Sequence, residues 1–154
     1  MEIQVIAPQP VENSLDSTRE FGILLLKAES IIHMVHWYVL NYDAHKILGN
    51  LYEDLDGLFD KIQEEIIGVC RQNNITLPRI NSVILDLDYI LQYRDENSNI
   101  LETYYKVYNI LIELLTSLEF NNFLTQAKTG IHNTVDDIIT RLNKANYLLS
   151  LVKN

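Results

Sequence analysis

The chain has 154 residues, 47% of them hydrophobic, and only 5 glycines and 3 prolines, which allows one domain with one core and leaves too few breakers for a strand-and-turn fold. A formal charge of -9, with its basic residues scattered from Arg19 to Lys153, disfavours DNA binding through an ordinary basic patch. The single cysteine, Cys70, excludes an intrachain disulfide or zinc ribbon; with no signal-peptide pattern after Met1 and no apolar run near the ~20 residues of a membrane span, a cytoplasmic protein without a membrane segment is expected.

In chain order, residues 1–13 carry Pro8 and Pro10 among polar side chains and read as an extended arm, leaving 14–154 as the single domain. A first helix is predicted to start near Ser14 to Ser17, where Ser and Asp offer caps, and to end about Leu40. Its apolar residues, from Leu15 and Ile23 through Leu26, Ile31, Val35 and Tyr38, cover more than one face, which calls for a partner chain as well as a core. Asp43 is the expected cap of a second helix running through Leu48, Leu51, Leu55, Leu58, Ile62 and Ile66 to about Arg71.

After Leu77-Pro78, Ser82 to Leu91 reads as a short extra helix, and Asp95 to Ser98 as the next polar break. A third long helix follows through Leu101, Tyr105, Leu111, Leu115 and Leu118, and a fourth from about Thr134 to Leu151. The stretch from Glu119 to Asn133 could extend either of them. Four long helices with a long link between the second and third predict an all-α, up-down-down-up four-helix bundle with one crossover.

Four side chains carry donor chemistry: His36 near the end of the first helix, His45 at the start of the second, and Asp60 and Glu64 farther along it. Imidazole with carboxylate suits iron, manganese or zinc. Asp60 and Glu64, four apart, share one helix face. A rise of ~1.5 Å per residue puts His36 roughly 9 Å from the turn near Tyr42 and Asp60 roughly 27 Å from it. Metal bonds of about 2 Å cannot span that difference within one chain, so a joint site is expected between two chains related by a two-fold axis.

Each of these residues also has a plainer reading. His36 can be a packed helix residue and His45 an exposed first-turn residue, while Asp60 and Glu64 can belong to the solvated acidic face that holds Glu53, Asp54, Asp56 and Glu65. His33 reads as a surface or interface residue, Cys70 as a small buried group, and the nine tyrosines as core and interface material.

His36-Trp37, His45, Asp60 fifteen residues later and Glu64 four after that resemble the mini-ferritins called Dps, and Leu51–Asp56 and Glu64–Gly68 read like that family's second helix. The resemblance covers Leu24–Gly68, with a fainter echo over Asp137–Leu151. It implies a ferritin-like four-helix bundle with the short extra helix between its second and third helices. It also implies iron, or another divalent metal, held by His36 and His45 of one chain with Asp60 and Glu64 of its mate, iron oxidation and storage, and a dodecameric homo-oligomer built from two-fold dimers.

The chain departs from that pattern in three places. The spacing from His36 to His45 is nine residues where the family usually has twelve, Gly49 stands where a further Asp ligand is usual, and a basic DNA-binding tail is absent. The alternative is a ferritin-like scaffold that keeps the oligomer without the ferroxidase chemistry.

Overall fold

Apolar side chains recurring every three or four residues make this chain helical over nearly all of the part described by the computed structural model, residues 9–92, 99–128 and 130–152. Six helices and no strand occur among the described residues: α1 (Gln9–Tyr38), α2 (Tyr42–Asn73), α3 (Asn81–Gln92), α4 (Ile100–Leu115), α5 (Leu118–Ala127) and α6 (Ile131–Ser150). The chain is all-α, as expected. The expected arm over residues 1–8 and the break at Asp95–Ser98 lie outside the described residues.

Several boundaries differ from expectation, each for a local reason. α1 begins at Gln9, so residues 9–13 are helical rather than part of an extended arm. Pro10 is compatible with a first helical turn, where a missing N–H costs no intrahelical bond. Ser17, expected near the start, is buried inside the helix, as is Thr18 after it. The cap of α2 is Asn41, whose side chain accepts from the Ala44 N–H at 3.0 Å; Asp43 falls in the first turn, where its charge complements the helix dipole.

The ambiguous stretch extends neither neighbour but forms α5. Ser117 interrupts the chain there: its hydroxyl donates to the Leu114 carbonyl at 2.8 Å and accepts from the Phe120 N–H at 3.2 Å, ending one helix and capping the next. α6 consequently starts at Ile131, three residues before the expected Thr134.

The buried face of α2 is Ala44, Leu48, Leu51, Leu55, Phe59, Ile62, Ile66, Val69 and Cys70, a stripe of three- and four-residue steps. It packs against α1 on one side and α6 on the other, and α4 contacts both α1 and α6, so these four helices surround one core. Tyr104 of α4 is fully buried there and donates its hydroxyl to Asn146 Oδ1 at 2.7 Å; burial pushes its pKa upward.

Side-chain pairs fix the helix directions. Gly22 lies against Gln63 and Gly49 against His36, so α1 and α2 are antiparallel. Thr134 bonds Glu65 at 2.7 Å and Arg141 reaches Asp54 at 3.5 Å, so α6 opposes α2; Tyr104–Asn146 and Tyr108–Asn143 oppose α4 to α6. Arg79 beside Glu20 and Lys27 beside Asp88 carry α3 up along α1 as the crossover. No helix among the described residues is long and apolar enough to cross a membrane.

Candidate metal centre

The link between α1 and α2 is only Val39 to Asn41, which brings the end of one helix beside the start of the other. Across it, His36 Nδ1 lies 2.7 Å from the His45 carbonyl oxygen and His45 Nδ1 lies 2.7 Å from the His36 carbonyl oxygen. A carbonyl only accepts, so both Nδ1 atoms donate, and in the neutral form of each imidazole the lone pair is then on Nε2. The His36 carbonyl belongs to the last turn of α1, where it lacks an intrahelical donor, so His45 also satisfies a helix end.

The two rings stack with centroids 4.0 Å apart and planes 19° apart. Such close approach depends on Gly49: a Cβ there would stand 2.7 Å from His36 Cε1. His33 continues the stack, lying 3.9 Å from Tyr52 and 4.5 Å from Trp37 between ring centroids. His33, His36, His45, Tyr52, Glu53 and Lys46 line an open depression of about 440 Å³.

Asp60 and Glu64 are both exposed on α2 and stand elsewhere. In the α1–α2 register residue 22 faces 63, 29 faces 56 and 36 faces 49, which sets Asp60 opposite residue 25. Along the helix axis that is roughly 16 Å from His36. The structure therefore brings His36 to His45 and keeps the carboxylates apart from them. Among the described residues no three His, Cys, Asp or Glu side chains of one chain gather as a metal site.

Asp60 lines a different feature, a groove of about 560 Å³ between α1 and α2 shared with Ile23, Leu26, Glu29, Asp56 and Gln63. Leu26 is 66% exposed beside it, and Trp37, Tyr38, Leu40 and Tyr42 are exposed around the α1–α2 turn.

Within the groove, Glu29 and Asp56 stand together, and Glu29 is pushed up to about 7, first by burial and then by the charge of Asp56 and the hydrogen bond between them. Burial, followed by those same two charges, raises the Tyr52 phenol as well. Neither acid was among the expected site residues. A weak signal was present: Glu29, with Lys27 and Ser30, interrupts the apolar residues between Ile23 and Ile32, and Asp56 lies one helical turn before Asp60 on the same face.

Imidazole donors suit a borderline metal such as Fe(II), and two rings with Nδ1 already engaged resemble ligating histidines oriented by backbone carbonyls. Asp60 and Glu64 of the same chain stand away from that pair, and Glu53 is the carboxylate that lines the depression beside it. No family model, curated protein or solved structure matches this chain.

Proposed function

We propose that this chain is a Dps-like mini-ferritin with a ferritin-like bundle, which binds Fe(II) as a substrate between two subunits and oxidises it for storage. The observation that carries the proposal is the reciprocal hydrogen bonding of His36 and His45, which engages Nδ1 of each and leaves Nε2 as the nitrogen that a metal would take. The antiparallel register supports a two-fold arrangement: His36 and Asp60 lie at different levels of one α1–α2 face, and a second copy in head-to-tail orientation brings each level to the other. Asp60 and Glu64 of the partner subunit then supply the anionic oxygens.

With peroxide as oxidant, two Fe(II) each give up one electron, the O–O bond breaks, and two protons complete two waters. The acidic chain, at -9, favours the approach of cations. In a dodecameric shell the ferric product would collect inside. The test is Fe(II) addition with peroxide, following ferric absorbance and particle mass for wild type and an Asp60→Ala, Glu64→Ala variant. Loss of rate in the variant is expected, and equal rates remove the proposal.

A second reading is a ferritin-like scaffold without redox chemistry. It is favoured by the same pair seen structurally, because the stacked rings, their two carbonyl bonds and the bare backbone at Gly49 make a clasp that closes the α1–α2 turn. An oligomer that retains no iron after exposure would select this reading.

A further inference from the structure

We propose that the two-fold contact between copies of this chain is proton-linked: the Glu29–Asp56 carboxyl pairs of the two subunits meet at the axis, and assembly requires each pair to hold a proton. The inference rests on the dimer of the preceding section and specifies how it is regulated.

The axis position follows from the register. For His36 of one copy to meet Asp60 of the partner subunit, and the reverse, the two-fold axis must pass midway between their levels. Residue 29 faces residue 56, and Asp60 stands opposite residue 25. The midpoint between levels 25 and 36 therefore lies about 2 Å along the helix from the Glu29–Asp56 pair. Both acids line the groove that the second copy would cover. Four carboxyls thus converge where apolar neighbours such as Leu26 are being removed from water. Four negative charges at that spacing in a drying contact are strongly unfavourable, and one shared proton per pair halves the charge.

Among the described residues, no cation lining the groove stands beside the pair. Arg19 and Arg71 line its far end, with Arg19 roughly 15 Å from Glu29 along α1 and also bonded to Asp16. Lys27 of α1 is paired with Asp88 of α3. Among the described residues, α3 and α4 contribute no charged side chain to the groove lining. On α2 the neighbours are Tyr52 and Asp60, neither of them cationic. His33 and Glu53, which line the neighbouring depression, are the remaining titratable groups near this level, and in the two-fold arrangement they approach the partner's pair. Glu29 already holds its proton to about pH 7 in the single chain, so the pair is poised for this role.

The test is light scattering across dilution from pH 6 to 8.5, in buffer with a chelator, for wild type, Glu29→Gln and His33→Asn. The dissociation constant of the wild-type contact is expected to rise at least tenfold over that range, up to one proton being taken up per chain. Glu29→Gln should abolish the rise while still assembling, and His33→Asn should keep it. A wild-type constant that stays flat, or a rise that survives Glu29→Gln, overturns the proton linkage and leaves the dimer standing. A chain that is monomeric at every pH overturns the dimer and the linkage together.

Discussion

A Cβ on residue 49 would stand 2.7 Å from Cε1 of His36, so the imidazole of one helix rests directly on the bare backbone of the next. Gly49 in mid-helix costs about 1 kcal/mol of helix propensity relative to alanine. Displacing the ring would cost more, since it overpacks a filled contact by about 1–3 kcal/mol and stretches a bond of 2.7 Å to the His45 carbonyl. Gly49→Ala is therefore expected to lose about 1–2 kcal/mol net in urea unfolding. Unchanged or greater stability would show that the ring moves aside freely.

The intersubunit arrangement makes a prediction that a site within one chain does not. A His36→Ala, His45→Ala double variant and an Asp60→Ala, Glu64→Ala double variant should each be inactive in Fe(II) oxidation. In a mixed dimer, the histidines of the second face the carboxylates of the first, so one intact site of the two returns. Mixing after dissociation and reassembly should recover up to half of the wild-type rate per mixed dimer. Failure to recover any activity in a verified mixed dimer would rule out ligands shared in this way.

The core was readable because Leu48, Leu51, Leu55, Ile62 and Ile66 repeat at helical spacing, and all five are buried. Helix ends were less legible, since a cap is chosen by the backbone as well as by residue type. Asn41, rather than Asp43, has the extended conformation that lets its side chain reach back to the Ala44 N–H. Ser17 resembled a cap and is instead a buried helix residue.

At the candidate site, His36 and His45 were visible as neighbours across a short turn, but their exchange of carbonyl bonds depends on helix packing. Gly49 read only as a lost ligand, whereas the fold uses it for close approach. The Glu29–Asp56 contact joins two helices, and its register is set by the whole α1–α2 interface rather than by any local motif.

Tyr104 and Tyr108 make the same bond in different surroundings. Tyr104 donates to Asn146 Oδ1 at 2.7 Å with no exposure of its own, and Tyr108 donates to Asn143 Oδ1 at 2.7 Å near solvent. Removing the buried hydroxyl leaves an acceptor poorly served by water, so Tyr104→Phe is expected to cost about 1–2 kcal/mol. Water can replace the outer bond, and Tyr108→Phe is expected to cost less than about 0.5 kcal/mol. Thermal or urea unfolding of the two variants side by side checks the order, and a reversed order would contradict the burial of Tyr104.

Glu29 gives the folded single chain its own pH dependence. In the unfolded chain its carboxyl ionises near the ordinary value of 4.5; in the fold, burial and Asp56 hold the proton to about 7. Because the folded state binds more proton between those values, its stability falls as pH rises from about 4.5 to 7 and does not recover above that range. Glu29→Gln, which cannot ionise, should match wild type near pH 4.5 and exceed it at pH 8. Solvent screening of this part-exposed pair reduces the expected gain to the order of 1 kcal/mol. Every other titrating group is shared by both proteins and largely cancels in the difference. Urea unfolding of dilute, unassembled protein at the two pH values measures that difference directly. A gap of equal size at both would mean that the substitution acts through packing rather than through the proton.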